Sequence, residues 1–140
     1  MSYKFLDHKS DVYIEARGKN LSEAFEHAGL AVYETMTNID SIDIKLKFEI
    51  NVQSEDLQSL LYDYIDELLF IFDTQFLLFS KIQIHIENAR DIYKLHGILE
   101  GEEYDSNKHI SKVGIKAATY SLMEILEKKD NYCLRFVMDI

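Results

Sequence analysis

The 140-residue chain contains no proline and no tryptophan, and it has only five glycines and a single cysteine. With so few glycines and no proline, it offers no flexible linker of the kind that separates domains, and it has no repeat or low-complexity stretch. Because Cys133 stands alone, the chain can form neither an internal disulfide nor a thiolate metal cluster. These absences predict one continuous domain, residues 1–140, with Cys133 as a buried and inert thiol in a strand.

Long apolar runs and familiar catalytic motifs are also missing. No segment approaches the roughly 20 apolar residues of a membrane helix, and the N-terminal residues lack the apolar core of a signal peptide. We therefore expect a cytoplasmic protein without membrane contact. The sequence also has no glycine-rich phosphate loop, no G-x-S-x-G elbow and no H-E-x-x-H motif, which disfavours the common nucleotide-binding and nucleophilic enzymes.

Basic residues are the minority, with 15 Lys and Arg against 25 Asp and Glu and a formal net charge of −10. Affinity for nucleic acid comes largely from Lys and Arg that neutralise phosphates, so this balance disfavours direct binding of RNA or DNA. An acidic protein can nevertheless dock on a basic RNA-handling enzyme. The alternative is that the acidic surface only keeps the protein in solution.

Apolar residues make up 47% of the chain and aromatic residues 12%, enough for a sizeable core. Alternating apolar and polar residues predict strands, and apolar residues at helical spacing predict two helices, the second of which has the broader apolar face. The pattern predicts strands over 12–18, 44–52, 82–87, 93–99 and 132–138, a helix capped by Asn20 and Glu23 that frays near Thr37, a helix that begins at Ser54 and reaches Phe72, and a polar loop over 101–111. Residues 113–127 fit a helix or a strand by periodicity, and the pattern alone favours a helix.

The densest polar cluster lies near the N-terminus, in the run F-L-D-H-K-S-D-V at residues 5–12. Two carboxylates, an imidazole and a hydroxyl stand between apolar residues, which indicates a loop that joins two strands. The chain stops on F-V-M-D-I, a strand-like run closed by Asp139 and the terminal carboxylate. Oxygen ligands of this kind suit calcium or magnesium better than zinc, so the two ends of the chain resemble two halves of one metal site.

The spacing D-x-x-x-D is a weak signal alone, because most such pairs are solvated or cap a turn without an ion. The same run, however, resembles the D-H-T-A-D-V signature of the archease family, and Asp139-Ile140 matches the acidic-aliphatic ending of that family. Residues 56–69 are similar to its D-L-L-x-x-L-L-x-x-W-L-x-E-L-L helix, and residues 114–120 to its I-K-A-V-T-Y segment. With Gly101-Glu102, these blocks follow the family order from residue 3 to residue 140.

The resemblance implies a fold, a function and a set of site residues. The fold is a two-layer α/β (α+β) sandwich with a mixed β-sheet and two main helices on one face, with strands rather than a helix over 113–127. Archease proteins act as cofactors of the RtcB-type RNA ligase in tRNA splicing and RNA repair, where they promote ligase guanylylation and multiple turnover, and they have been linked to a tRNA methyltransferase. The family likeness therefore implies an activator and not an enzyme.

Carried over to this chain, the metal ligands are Asp11, Asp139 and Ile140, the last through its backbone or terminal oxygen. The implied ion is calcium, with magnesium and manganese as alternatives. Asp7, His8 and Lys116 are expected to support the site or contact the partner. Two departures bear on this transfer: Lys9-Ser10 replaces the usual Thr-Ala, and Ser121 stands where the family commonly has histidine.

Two other hypotheses remain open from the sequence. Two carboxylates and a divalent ion can activate water, so a stand-alone phosphohydrolase is the rival function. In a purely structural alternative, residues 7–11 form a capped turn without an ion. Metal binding and hydrolysis assays separate the three hypotheses.

Overall fold

The computed structural model describes residues 2–7 and 11–140, which form two helices and eight strands together with a short 3-10 turn at Ile39–Ser41. The order along the chain is β1 (Tyr3–Leu6), β2 (Val12–Gly18), α1 (Leu21–Met36), β3 (Leu46–Ser54), α2 (Leu57–Gln75), β4 (Leu77–Ala89), β5 (Ile92–Glu103), β6 (Ala117–Ala118), β7 (Glu124–Lys128) and β8 (Asn131–Asp139).

The start of α1 confirms the capping pattern predicted from the sequence. The side chain of Asn20 accepts a hydrogen bond from the Glu23 N–H at 2.9 Å, and the Glu23 carboxylate accepts one from the Lys19 N–H at 3.0 Å. These bonds satisfy two backbone donors near the first turn of the helix. The helix ends at Met36, where the Thr37 N–H donates to the Tyr33 carbonyl.

Helix α2 begins later than the sequence pattern predicts. We expected Ser54 to begin the helix, but β3 continues to Ser54 and the N-cap is Asp56, whose carboxylate accepts from the Ser59 N–H at 2.7 Å. Serine and aspartate are both good N-cap residues, so the pairing of Ser54 within the sheet decides where the helix begins. The backbone of Ser54 lies opposite Tyr93 in the sheet, and its hydroxyl donates to Asp63 at 2.7 Å.

The strands pair in two antiparallel sheets, which corrects the prediction of a mixed sheet. One sheet has the order β1-β2-β8-β6, with β7 also paired to β8, and the other has the order β3-β5-β4. Every pairing among the described residues is antiparallel. Several neighbours in sequence are joined by short turns, which connect only antiparallel strands, whereas a parallel pair needs a long crossover.

Both helices pack their apolar faces against the sheets, as the α+β prediction requires. Helix α1 contacts β2 and β8 in the first sheet and β4 in the second, so it joins the two sheets. Where the helices meet, the Tyr64 hydroxyl donates to the Phe25 carbonyl at 3.0 Å, and both side chains are fully buried. Within the described residues, no helix is long and apolar enough to span a lipid bilayer.

Helix α1 also covers the outer edge of β4. The Ile84 N–H donates to the Glu26 carboxylate at 2.8 Å, and the Ile86 N–H donates to the Ser22 hydroxyl at 3.2 Å. Strand β5 pairs with β4 on the opposite side. Donors that would otherwise face outward from this strand are therefore satisfied by side chains of the helix.

The strands predicted over 82–87 and 93–99 are confirmed and form a hairpin, and the ambiguous segment 113–127 contains strands. Strands β4 and β5 are joined by Arg90 and Asp91, which both have positive φ, as a tight two-residue hairpin turn requires. In the second region, two short strands, β6 and β7, are separated by a turn at Leu122, where φ is 54°. Another turn, with Asp130 at positive φ, joins β7 to β8 near the predicted position.

Candidate metal site at the paired chain ends

Strands from opposite ends of the chain lie side by side. Strand β2 pairs with β8 in a register that places Val12 opposite Met138. Asp11 directly precedes Val12, and Asp139 directly follows Met138, so the two acids adjoin at the same end of neighbouring strands. Since paired strands run about 4.8 Å apart, this register brings the backbones of the two residues close to one another.

The other side of Asp139 is held by the segment that carries Lys116. The Lys116 N–H donates to the Asp139 carbonyl at 2.7 Å, and Ala117 lies opposite Asp139 in the sheet. The Thr119 hydroxyl adds a bond to the Val137 carbonyl at 2.7 Å. Strand β8 is thus hydrogen-bonded on both sides almost to the last residue of the chain. Three segments therefore meet at the candidate site.

Exposure differs among the residues expected at the site. The side chains of Asp7, Lys116 and Asp139 are exposed, whereas Asp11 and Ile140 are half-buried. Asp7 directly follows β1, which pairs with β2 so that Leu6 lies opposite Tyr13. His8 falls outside the described residues, as do Lys9 and Ser10.

The donor set fits a hard cation by chemistry. Two carboxylates and a chain-end oxygen are ligands that calcium and magnesium prefer, and Ca²⁺ accepts the loose geometry that loop ligands provide. In the part of the chain that the structure describes, no group of three or more His, Cys, Asp or Glu side chains is placed to hold a metal ion. The expected set contains two such side chains, Asp11 and Asp139, so Ile140 and water would have to complete the coordination.

A buried carboxylate beneath the site was not anticipated. Alternation places Glu15 on the polar side of β2, yet its side chain is only 2% exposed. It pairs with Lys4 on β1 at 3.2 Å, Arg17 on β2 at 3.3 Å and Arg135 on β8 at 2.9 Å. Burial alone would raise the pKa of Glu15, but hydrogen bonds from these three bases outweigh it and hold the pKa at about 2. The cluster ties together the strands that form the site.

A second buried carboxylate, Glu102, lies in the segment predicted as a polar loop over 101–111. Strand β5 continues through Glu102 to Glu103, and the side chain of Glu102 is 5% exposed. It accepts hydrogen bonds from Lys108, from the Asp43 N–H, from His109 and from Lys45. Burial would raise its pKa, but these bonds prevail and hold the pKa at about 2.

His109 is buried with Glu102, and its hydrogen bonds identify its neutral tautomer. The Asp105 N–H donates to Nδ1 at 2.9 Å, so the ring proton lies on Nε2, which donates to the Glu102 carboxylate at 2.8 Å. The arrangement fastens the loop after β5 to the sheet. No local motif indicates it, because the six residues between Glu102 and His109 carry no recognisable spacing.

Two further histidines lie in strands that the sequence pattern predicted. His85 and His96 lie opposite each other on β4 and β5, and both are exposed. His96 pairs with Glu49 at 3.0 Å. Cys133 is confirmed as a buried residue of β8.

An aromatic pair connects the candidate site to helix α2. The rings of Tyr62 and Tyr120 stack at a centroid separation of 4.4 Å and an interplanar angle of 8°. Tyr62 lies on α2, and Tyr120 follows the short strand that begins after Lys116. The stack therefore fixes the lysine-bearing segment against the helix.

The chain is similar to known proteins over nearly its whole length. Residues 3–140 match the model of the Archease protein family (MTH1598/TM1083). The chain is 40% identical over 138 residues to the protein archease of Sulfurisphaera tokodaii, covering 99% of this chain and 98% of the relative. It is 36% identical to the protein archease-like of Drosophila melanogaster, covering 100% of this chain and 91% of the relative.

The fold agrees as well. The solution structure of Methanobacterium thermoautotrophicum protein 1598 superposes with a TM-score of 0.88 at 38% sequence identity, covering 99% of each chain. This likeness and the match over nearly the whole sequence identify the same relatives as the D-H-K-S-D-V run and the Asp139-Ile140 ending. The chain belongs to the archease family.

Proposed function

We propose that this protein is a metal-binding protein cofactor of an RtcB-type RNA ligase, which it helps through multiple turnovers by promoting ligase guanylylation. Membership of the archease family supports the proposal, and the observation that carries it is the register of β2 and β8, with Val12 opposite Met138. That register leaves two acids side by side at a strand end, where a cation and a partner can reach them. The protein would act through the ligase and would not catalyse a reaction alone.

In this proposal Asp11 and Asp139 bind the ion through carboxylate oxygens, and Ile140 adds a main-chain or terminal oxygen. Calcium suits such a site, and magnesium or manganese are alternatives. Lys116 places a cation at the rim, where it can attract a phosphate, and Asp7 and His8 are the further residues expected to support the site or to contact the partner. The metal would fix a docking surface or assist nucleotide loading at the active site of the ligase.

Ligase turnover is the direct test. Ligated RNA is counted per ligase molecule, with the ligase limiting and GTP saturating, in the presence and absence of the wild-type protein. We expect several turnovers with the protein and few without it. Unchanged turnover with the wild type would contradict the cofactor role.

Asp139→Ala tests the metal site within the same assay. The substitution keeps the carbonyl that accepts from Lys116, so the strand pairing is retained while a carboxylate is removed. We expect it to abolish stimulation, whereas Glu87→Gln, an exposed position on β4, should stimulate as the wild type does. Full stimulation by Asp139→Ala would reject the metal-site mechanism.

Calorimetry and a hydrolysis assay separate the remaining hypotheses. Titration with calcium and magnesium should give one site that is lost in Asp139→Ala, and the absence of heat from either ion would favour a capped turn without a metal. Release of phosphate by the purified protein with divalent ions, lost in Asp11→Asn, would favour the phosphohydrolase. The link to a tRNA methyltransferase stays a prediction from the family resemblance, and the cytoplasmic location stays a prediction from the sequence composition.

A further inference from the structure

The negative charge of the protein is concentrated on one stretch. Residues 48–80 contain seven acids and no lysine, arginine or histidine. Elsewhere, the buried acids have basic partners: Glu15 pairs with three bases, and Glu100 pairs with Lys47 and Lys81. By contrast, within the described residues no base lies at ion-pair distance from the acids of helix α2, which are Asp63, Asp66, Glu67 and Asp73.

These acids share one side of the helix with an exposed aromatic ring. At about 100° per residue, positions 63, 66, 67, 70 and 73 fall within an arc of about 120°. Phe70 lies near the centre of this arc, and it is 59% exposed. We call this set the acidic face of α2: Asp63, Asp66, Glu67, Phe70 and Asp73. The exposed ring of Phe70 is surrounded by acids that have no basic partner within the described residues. An exposed apolar side chain among charged residues is the composition of a binding surface.

The end of the helix adds to the negative potential. The last turn of α2 contains no basic residue, although cations are favoured there by the helix dipole. Asp73 also lines a cavity of about 180 Å³, together with Phe72, Thr37 and Lys112, whose Nζ is paired with the Glu34 carboxylate at 3.6 Å. Thr37 is 1% exposed, and its hydroxyl has no hydrogen-bond partner among the described residues. A buried hydroxyl without a partner is unfavourable, so the cavity favours a ligand that brings N–H donors.

The acidic face adjoins the segment that leads to the candidate metal site. Tyr62 lies beside the face at about 40° from Asp66 on the helix, and it stacks on Tyr120. Helix α2 also contacts β6, which pairs with the last residues of β8. A partner that covers this face would therefore extend toward Lys116 and the chain ends.

We propose that the acidic face of α2 docks on a basic surface of the RNA ligase, an inference that rests on the proposed function. An enzyme that holds RNA ends must present Lys and Arg to phosphates, which makes it complementary in charge to this face. Phe70 is the apolar anchor. A Lys or Arg side chain of the ligase packs its aliphatic part on Phe72 and directs its N–H groups to Asp73 and the cavity.

Charge excludes the two other candidate occupants. Nucleic acid would meet four carboxylates that have no ion-pair partner among the described residues, and no base on the helix, so repulsion opposes binding. A second copy of the chain in a two-fold contact would set the same acids against themselves. A basic protein surface is the occupant that the residues favour.

Binding of the full-length ligase to the immobilised protein tests this inference, with three proteins compared. Phe70→Ala removes the anchor, and the triple variant Asp66→Asn, Glu67→Gln, Asp73→Asn removes charge while keeping side-chain shape. Hot-spot rings and clustered charges typically dominate an interface, so we expect each variant to weaken the affinity by at least about tenfold. Raising the salt concentration should weaken the wild type more than the triple variant.

Matched controls are available elsewhere on the surface. Ile44→Ala removes a side chain that is 55% exposed, and Glu87→Gln removes an exposed acid on β4. Both should bind the ligase as the wild type does. Circular dichroism and calcium titration of the α2 variants should match the wild type, which shows that the fold and the metal site are retained.

The outcomes separate the two proposals. If the wild type neither binds nor stimulates the ligase, the proposed function fails. If the wild type binds and stimulates while Phe70→Ala and the triple variant bind equally well, the docking inference is overturned and the proposed function stands. Equal weakening by the Glu87→Gln control would also overturn it, because the effect would then reflect net charge and not this face.

Discussion

At the scale of single residues, the buried carboxylates Glu15 and Glu102 stabilise the fold around the candidate site. Each is almost fully buried and is surrounded by bases from different segments. An isolated buried charge would be strongly unfavourable, but several charge-assisted hydrogen bonds to each one compensate for its lost hydration. Glu15 fastens β1, β2 and β8 to one another, and Glu102 fastens the loop after β5 to the sheet.

These two acids predict a dependence of stability on pH. Their pKa values are lowered in the folded protein from 4.5 to about 2, so each stabilises the fold fully above pH 4.5. The contribution is lost progressively as the pH falls from 4.5 toward 2, since protonation then favours the unfolded chain. Urea denaturation at a series of pH values should show a falling free energy of unfolding across this range.

Glu102→Gln isolates one of the two contributions. The amide keeps the shape of the side chain but cannot accept charge-assisted bonds from Lys108 and Lys45. We expect a loss of about 1–3 kcal/mol in the free energy of unfolding at neutral pH. The acid dependence should also become shallower, and an unchanged profile would contradict the assignment. Glu103→Gln, an exposed neighbour on β5, is the control.

Residue-scale features were recognised unevenly from the sequence. Asp11 and Asp139 were proposed as ligands because they belong to short runs that resemble the family signature, and the register of β2 and β8 sets them side by side. The burial of Glu102 was missed because two of its partners, Lys45 and the Asp43 N–H, come from a distant segment. Nothing in the local pattern distinguishes a buried acid of this kind from a solvated one.

At the scale of elements, α2 combines a fully apolar inner side with an acidic face that lacks compensating bases. Asp63 precedes Asp66 by three residues and Glu67 by four, so like charges lie next to one another on the helix surface. Such pairs lower helix stability. Their presence is consistent with selection for binding over stability.

Neutralising these acids should therefore stabilise the isolated protein. For Asp66→Asn combined with Glu67→Gln, two like-charge pairs with Asp63 are removed, and each is worth roughly 0.2–0.5 kcal/mol. Thermal unfolding at low salt should show a modest rise in Tm, and the rise should shrink at high salt because screening already weakens the repulsion. A clear fall in Tm at low salt would show that these acids have stabilising contacts.

Element boundaries show what periodicity can and cannot resolve. Alternation defined β2, the β4–β5 hairpin and β8 well, because half-buried strands have a strict period of two. It failed at Ser54, where two capping residues are two positions apart and sheet pairing selects Asp56. It left 113–127 open, because two very short strands and a turn at Leu122 produce no sustained period.

At the scale of the whole molecule, the two sheets are joined by helix α1, and Asp11 and Asp139 adjoin at one end of the paired strands β2 and β8. The sequence predicted the α+β class and two helices, but it did not reveal which strands pair. Periodicity indicates which residues of a strand are exposed, but it carries no information about the neighbours of that strand. The mixed sheet, which the resemblance implied, was the wrong prediction.

A cation that bridges the two ends should stabilise the entire fold. If calcium binds the native protein through Asp11 and Asp139, a concentration of 100 times Kd adds about 2.7 kcal/mol to the free energy of unfolding. Thermal unfolding with and without calcium should show a higher Tm with the ion. The shift should vanish in Asp139→Ala, and an equal shift in that variant would indicate binding elsewhere.

The side chains of Ser22 and Glu26 on α1 have a consequence for solubility. By occupying the Ile84 and Ile86 donors, they deny a foreign strand the hydrogen bonds that it would need to extend the sheet beyond β4. Intermolecular growth of that sheet, the first step toward insoluble aggregates, is thereby blocked on this side as long as the helix stays in place.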